Sequence, residues 1–134
     1  MKNPIITKKY HFCASHKYGN NKWSEEKNYE IFGKDFNNHG HNYILEVTMS
    51  GTVNPDTGWL VDLQHVNKVV KSNVVNILDH SQIEQDIPWF KGKQPSSEVL
   101  VVWIWDQISK DLQGARLHRI RLVETHSIHT DYYG

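Results

Sequence analysis

The chain has 134 residues, with 15 Lys plus Arg against 15 Asp plus Glu, and therefore a formal net charge of zero. This length fits one domain, residues 1–134, and the balanced charge argues against a general nucleic-acid binder, which would carry a basic surplus. The sequence has no run of about 18 apolar residues, so no membrane span is expected. A single cysteine, Cys13, excludes an internal disulfide and is typical of a reducing, cytoplasmic protein.

The first part of the chain predicts two strands separated by a long polar segment. Alternating apolar residues predict one strand over residues 5–16 and a second over residues 41–52. Residues 17–38 are polar and long for a loop, and loops of this length are often functional. Within this segment we expect only a short helical turn at residues 29–32. A turn is predicted at residues 54–58, where Asn, Pro, Asp and Gly cluster.

Two helices are predicted next. Valine, isoleucine and leucine residues spaced by three and four predict a helix from about residue 62 to residue 78. Ser96 and Ser97 can cap a second helix, and Glu98 lies in its first turn, where negative charge is favourable. We expect this second helix to stop at Gly114.

Two further strands, over residues 118–124 and 128–133, complete the order β–β–α–α–β–β. This order predicts an α+β domain with a four-stranded antiparallel sheet and two helices on one of its faces. Such a sheet has two open edges, and pairing between subunits is one way to close them. We therefore expect a homo-oligomer.

The sharpest local feature is His39-Gly40-His41. In an extended segment, residues two apart point to the same side, so both imidazoles can meet one metal ion. His16, at the end of the first predicted strand, can supply a third ligand. Three neutral histidines with an open fourth position are the pattern of a catalytic zinc, which polarises a hydroxyl or a carbonyl. Taken alone, this pattern is weak, because loop histidines without any ligand share it.

Several other motifs occur in one order along nearly the whole chain. They are FCASH (12–16), FGKDFNNHGHNY (32–43), NPDTG (54–58) with Asp62, LDH (78–80), PSSE (95–98), WIWD (103–106) and ET (124–125). Together they resemble the 6-pyruvoyl-tetrahydropterin synthase family, which includes 6-carboxytetrahydropterin synthases. The resemblance implies the tunnelling fold, or T-fold, in which sheets join through their edges into an oligomeric barrel. It also implies a homohexamer, built as a dimer of trimers, with active sites between subunits.

The family pattern implies a zinc ion held by His16, His39 and His41 that binds the side-chain hydroxyls of a dihydropterin. Glu124 would anchor the pterin ring, because a carboxylate matches the two parallel donors of an N–C–N edge. The other interpretation of Glu124 is a glutamate on the surface of a strand.

Two further groups gain roles from the same resemblance. Ser96, Ser97 and Glu98 would add contacts to the ring, although helix capping alone explains them nearly as well. Asp79 and His80 would form a carboxylate–imidazole pair that relays protons. The alternative is a helix-terminal Asp and His without a catalytic role.

One position departs from the family pattern. Members that make 6-pyruvoyl or 6-carboxy products carry a cysteine shortly before the HGH motif, and its thiolate is the base. This chain has Asp35 there. Cys13 is not expected to replace that cysteine, because alternation directs it away from the face of Ala14 and His16.

Asp35 leaves three interpretations open. In the first, Asp35 is itself the base and the reaction has an altered rate or product. Members with a glutamate there are associated with side-chain cleavage to 6-hydroxymethyl-dihydropterin for folate synthesis. In the second, the chain performs the usual lyase step poorly, and in the third it is a non-catalytic relative that binds a pterin or a metal. The retained histidines, Asp79, His80 and Glu124 favour an enzyme. We expect a cytoplasmic, zinc-dependent lyase acting on 7,8-dihydroneopterin triphosphate or a related dihydropterin, in biopterin, queuosine or folate synthesis.

Overall fold

A computed structural model describes residues 3–134. The five strands are β1 (Ile5–His16), β2 (His39–Ser50), β3 (Ser81–Gln82), β4 (Arg116–Thr125) and β5 (Ile128–Tyr132). The five α-helical segments are α1 (Glu25–Phe32), α2 (Leu63–Val70), α3 (Asn76–Leu78), α4 (Ile83–Asp86) and α5 (Ser97–Ser109). Among the described residues, no helix combines the length and the hydropathy that crossing a bilayer requires.

The strands form one sheet in the order β3-β1-β2-β4-β5. β1 and β2 are antiparallel along their full length, from the pair Ile5 and Ser50 to the pair His16 and His39. β3 runs parallel to β1, with Ala14 opposite Ser81. The sheet is therefore mixed and has five strands, where the sequence predicted four antiparallel ones. A strand of two residues has no alternation for sequence reasoning to detect.

One face of the sheet carries the core, as alternation requires. The buried residues of this face are Tyr10, Phe12 and Ala14 on β1, Tyr43, Leu45, Val47 and Met49 on β2, and Ile120 and Leu122 on β4. They belong to one cluster with buried residues of α2 and α5. The predicted α+β class, with two long helical segments on one face, is confirmed.

The first long helical segment is interrupted. α2 continues through a π-helical turn, Lys71–Val75, into α3, so the predicted helix over residues 62–78 is helical throughout but is not one regular α-helix. Asp62 caps it by accepting from Gln64 N–H at 2.9 Å. The second helix, α5, ends at Ser109, before Gly114, and the intervening residues form a turn.

The polar segment between β1 and β2 is not the loop that the sequence predicted. It contains α1 and a 3₁₀ helix, Gly33–Phe36. Ser24 caps α1 through Lys27 N–H, and two glutamates occupy the first turn. The only buried residue of α1 is Asn28, so the helix has no apolar stripe by which sequence analysis could find it. Gly33, with φ of 60°, ends α1 and turns the chain into the 3₁₀ helix.

Candidate active site

Three histidines meet at one end of the paired strands β1 and β2. His16 and His39 are direct partners in the antiparallel register, and His41 follows two residues later on the same face. The Nε2 atom of His16 lies 3.0 Å from His39 Nε2 and 3.1 Å from His41 Nε2. His16 is buried, whereas the other two rings are partly exposed. The cluster that the sequence predicted is therefore present and could hold a metal ion.

Two backbone carbonyls fix how these rings carry their protons. His16 Nδ1 lies 2.7 Å from Pro95 O, and His39 Nδ1 lies 2.8 Å from Asn37 O. A carbonyl oxygen can only accept, so both rings are assigned a proton on Nδ1 and a lone pair on Nε2. The two Nε2 lone pairs then face each other 3.0 Å apart, an arrangement that repels unless a cation lies between them. This donor set of neutral imidazoles fits zinc or a similar transition metal.

Glu124, on β4, is the carboxylate nearest to His16 and His41. Its Oε1 atom lies 3.7 Å from His41 Nε2 and 3.8 Å from His16 Nε2, and its side chain is 14% exposed. Burial lowers the pKa of His41 and favours its neutral, ligating form, although the Glu124 carboxylate acts in the opposite direction. The predicted anchor therefore faces the histidine cluster directly, and a strand-surface glutamate does not describe it.

Asp35 lies near the third histidine of the cluster, His39. It lies on the 3₁₀ helix, and its Oδ1 atom is 3.7 Å from His39 Nε2. The side chain is 61% exposed. The backbone of this turn is tied to the end of β1, because Tyr18 N–H donates to Asp35 O at 2.9 Å. The position that departs from the family pattern therefore lies at the rim of the cluster, where a base would be useful.

Asp79 and His80 form the predicted pair. His80 Nδ1 lies 3.0 Å from Asp79 Oδ2, and Cys13 N–H donates to Asp79 Oδ1 at 2.9 Å. That backbone hydrogen bond, with a smaller contribution from His80, lowers the pKa of Asp79. His80 has a positive φ of 62° and donates its backbone N–H to Cys13 O at 2.6 Å. These contacts hold the pair beside β1 in a backbone conformation that few non-glycine residues adopt.

Asp79 and His80 lie beside the edge of β1, where Asp79 Oδ1 and the backbone N–H of His80 bond to the backbone of Cys13. His80 lines an open hollow together with Cys13, Ser15 and Asn42, and His41 lines the same hollow. Cys13 and Ser15 alternate along β1 with the buried Ala14 and His16, so their side chains point outward. Cys13 is exposed and its thiol donates to Asn42 Oδ1 at 2.8 Å, which confirms that it points away from the cluster. Within residues 3–134, neither Asp79 nor His80 forms a hydrogen bond or an ion pair with His16, His39 or His41.

Comparisons with known proteins give the family. The model of the 6-pyruvoyl tetrahydropterin synthase family matches residues 5–134. The chain belongs to this family. It is 36% identical to the 6-pyruvoyl tetrahydrobiopterin synthase of Dictyostelium discoideum over 130 residues, which are 97% of this chain and 96% of the relative. It is 33% identical to the synthase of the same name from Homo sapiens, over 90% of this chain and 84% of the relative.

A solved structure supports the same family assignment. The structure of Caenorhabditis elegans 6-pyruvoyl tetrahydropterin synthase superposes with a TM-score of 0.87 and 29% identity, covering 100% of this chain and 99% of that one. The resemblance found in the sequence is thereby confirmed, and the chain is a synthase-type enzyme of pterin metabolism. The matches do not favour the alternatives of side-chain cleavage or a non-catalytic relative.

The start of α5 carries the three residues expected to touch the pterin ring in a family member. Ser96 caps the helix, since its Oγ accepts from Val99 N–H at 3.2 Å. Ser97 is buried, and its Oγ has no hydrogen-bond partner among residues 3–134. Glu98 is exposed. Capping therefore accounts for Ser96, while the Ser97 hydroxyl is free to bind something else.

Sequence reasoning missed two tyrosines beside the cluster. Tyr18 lies with its ring centroid 5.3 Å from that of His16, and Tyr43 lies 5.6 Å from His41. Burial raises the pKa of both hydroxyls, and Glu124 adds to the effect. Tyr43 is 1% exposed and its hydroxyl lacks a partner within the described part of the chain. Tyr43 could have been found, because it continues the alternation of His39 and His41 along β2.

Proposed function

We propose that this family member is a zinc-dependent carbon–oxygen lyase of the 6-pyruvoyl or 6-carboxytetrahydropterin synthase type, acting on 7,8-dihydroneopterin triphosphate or a related dihydropterin. The observation that carries the proposal is the pair of Nε2 atoms of His16 and His39, 3.0 Å apart and oriented by the carbonyls of Pro95 and Asn37. Such a preoriented donor set is the arrangement that a catalytic metal requires.

His16, His39 and His41 would hold the ion. A bound zinc ion supplies Lewis-acid polarisation and lowers the pKa of a hydroxyl attached to it. Asp35 is the group placed to take a proton from the substrate's side chain, because it lies at the rim of the cluster and is open to solvent. A carboxylate near a metal is a weaker base than a thiolate, so the proton transfer is expected to be slower than with a cysteine.

Glu124 would bind the N–C–N edge of the pterin ring through its two carboxylate oxygens. The unpartnered hydroxyl of Ser97 is a second candidate for a polar contact with the ring. Ser96 and Glu98 flank Ser97 at the start of α5, and Pro95, which precedes them, accepts a hydrogen bond from His16. The residues that we propose to bind the ring and the metal are thus joined through one short segment.

Asp79 and His80 would serve the site of a neighbouring copy. They lie beside β1 and form no hydrogen bond or ion pair with their own chain's three histidines among residues 3–134, while β3 and β5 are the outer strands of the described sheet. Pairing of such edges between copies would bring one chain's pair to another chain's metal. A homohexameric T-fold of 134-residue domains, built from two trimers, is the assembly that we propose.

We propose a small molecule as the substrate and no nucleic-acid partner, in agreement with the formal net charge of zero. A cytoplasmic location is part of the same proposal and rests on the single unpaired cysteine. The relatives are named for tetrahydrobiopterin, and we therefore favour that pathway over queuosine synthesis.

A product assay tests this function. The zinc-loaded protein is incubated with 7,8-dihydroneopterin triphosphate, and the pterin product is identified by mass spectrometry. We expect release of triphosphate with formation of a 6-pyruvoyl or 6-carboxy product. Asp35→Asn should lower the rate by roughly 100-fold or more, as loss of a general base does. Asp56→Asn, at an exposed aspartate of the 54–58 turn, is the matched control and should keep the rate.

Three results would contradict the proposal or a part of it. A 6-hydroxymethyl product would assign the chain to side-chain cleavage. Tight pterin binding without any turnover, in the wild type and in Asp35→Cys alike, would make it a binding protein. Turnover that appears only in Asp35→Cys would show that the carboxylate cannot replace the thiolate.

A further inference from the structure

The backbone around Tyr18 is fixed by hydrogen bonds to three separate segments. The backbone N–H groups of residues 17–19 each donate to a different acceptor. These acceptors are Glu84 Oε1, Asp35 O and Gln94 Oε1, at 2.9, 2.9 and 3.1 Å. Gln94 Nε2 also donates to the carbonyl oxygen of residue 19 at 2.7 Å. A side chain on a backbone held in this way is preoriented, which favours recognition of a ligand.

The ring of Tyr18 lies beside the histidine cluster. Its centroid is 5.3 Å from that of His16 and 5.6 Å from that of Phe32, and the residue is half-buried. Burial raises the pKa of Tyr18, and the carboxylates of Glu124, Glu98 and Asp35 add to the effect. No hydrogen bond within residues 3–134 is among the causes, so the hydroxyl is available to a ligand.

The three carboxylates near the Tyr18 hydroxyl provide acceptors alone. When ionised, Glu124, Glu98 and Asp35 suit the N–H groups of a pterin's N–C–N edge. They repel the oxygen at C4 of the pterin, which is next to that edge and is itself an acceptor. An acceptor that enters such a site without a donor loses its hydrogen bonds to water and gains none. The Tyr18 hydroxyl, protonated at neutral pH, is a donor in this surrounding.

From this arrangement we infer that Tyr18 is a specificity-determining residue whose hydroxyl donates a hydrogen bond to the C4 oxygen of the pterin ring. Glu124 takes the two donors of the N–C–N edge, and Tyr18 takes the acceptor beside them. The donors and the acceptor at this end of the ring are then both matched. The inference rests on the proposed function for its ring, and it requires no contact with a metal ion.

This hydrogen bond gives the site a preference that shape alone does not provide. A ring without a good acceptor at C4 leaves the Tyr18 hydroxyl unpaired in a half-buried place, and the site therefore binds it more weakly. The bond also orients the ring relative to the proposed base. Because Tyr18 N–H donates to Asp35 O, a ring held by Tyr18 is positioned against the turn that carries Asp35.

Two ligands without a 6-side chain, pterin and 4-thiopterin, test this hydrogen bond without a catalytic step. The second has sulfur, a weak acceptor, in place of the C4 oxygen and keeps the N–C–N edge. Isothermal titration calorimetry measures both Kd values in wild type, Tyr18→Phe, Ser97→Ala and, as the matched control, Tyr133→Phe at an exposed tyrosine. The ratio of the two Kd values within one variant does not depend on the folded fraction, so a folding defect cannot imitate the result.

Wild type and Tyr133→Phe should bind pterin roughly 5-fold or more tightly than 4-thiopterin. Tyr18→Phe should bind pterin more weakly by a similar factor and should lose the preference for oxygen. A preference that persists in Tyr18→Phe would overturn the inference, and so would a preference that Ser97→Ala alone abolishes. Unchanged pterin affinity in Glu124→Ala would instead overturn the ring anchor of the proposed function, so the two failures are distinguishable.

Discussion

His16 donates its Nδ1–H to the carbonyl oxygen of Pro95 at 2.7 Å, and this bond joins the end of β1 to the residue before the cap of α5. The bond directs the Nε2 lone pair of His16 toward His39 and His41. It also attaches the helix start, where the buried Ser97 hydroxyl has no partner among residues 3–134, to the histidine cluster. A shift of α5 would therefore disturb the geometry of the three histidines.

Zinc is expected to stabilise the fold through this preoriented cluster. At a free zinc concentration about 100 times the dissociation constant, binding contributes about 2.7 kcal/mol, which raises Tm by roughly 10 °C in a chain of this size. His39→Ala should lose this rise, and His129→Ala, at an exposed residue of β5, should keep it. Thermal unfolding with zinc and with a chelator measures both. An equal rise in His39→Ala would argue against the cluster as the ligand set.

The Asp79–His80 pair is expected to act as a unit in proton transfer. Asp79→Asn and His80→Gln should each lower kcat by roughly 100-fold, and the double variant should be no worse than the more damaging single one. Steady-state kinetics on the three variants measures this. Independent, multiplying losses would show that the 3.0 Å contact between the two side chains is not used in the reaction.

Mixing inactive variants tests whether this pair serves a neighbouring copy. Asp35→Asn and His80→Gln damage different components of the site. Co-refolded together, they should regain part of the wild-type rate, because some sites then combine an intact Asp35 with an intact His80 from another chain. Each variant refolded alone is the control. A mixture no more active than its parts would place both residues in the site of one chain.

The ion pair of Arg121 and Asp131 should make part of the free energy of unfolding sensitive to acid. Arg121 Nε and Nη2 donate to the two carboxylate oxygens of Asp131 at 2.7 and 2.9 Å, and these bonds lower the pKa of Asp131. A carboxyl with a lowered folded-state pKa stabilises the fold above its unfolded pKa, near 3.9, and loses this contribution as pH falls through the folded value. Asp131→Asn should therefore cost about 1 kcal/mol at pH 7.

Urea unfolding of wild type and Asp131→Asn at a series of pH values measures this contribution. The difference in the free energy of unfolding should shrink as the pH falls below 4 and approach zero once the wild-type carboxyl is protonated. Asp56→Asn is the control, since the side chain of Asp56 is exposed on a turn. A difference that stays constant to the lowest pH would show that the charge of Asp131 is not what stabilises the pair.

The two serines at the start of α5 are expected to behave differently. Ser96→Ala removes the cap to Val99 N–H and should lower the free energy of unfolding by about 1 kcal/mol. Ser97→Ala removes a buried hydroxyl without a partner in the described chain and should be nearly neutral for stability. If the Ser97 hydroxyl binds the pterin ring, Ser97→Ala will weaken pterin binding while the fold is unaffected. Denaturant unfolding and pterin titration separate the two roles.

Much of the sheet and both long helical segments could be predicted from the sequence, because they follow short periods. Alternation over residues 5–16 gave the bounds of β1, and the three-four spacing of valines gave the helical run over residues 62–78. Elements without such a period were not predicted from the sequence. α1 buries only Asn28, and β3 has two residues, so neither has a pattern to detect.

By itself, the sequence determined that His39 and His41 share a face, because alternation in a strand is a local property. Only the tertiary structure decided what surrounds them. Pro95 lies 79 positions from the ring that it orients, and Glu124 reaches the cluster from β4, across the sheet from β1. Packing also placed Asp79 and His80 beside the edge of β1, since both bond to the backbone of Cys13. Such contacts depend on how distant elements pack, and no local period encodes them.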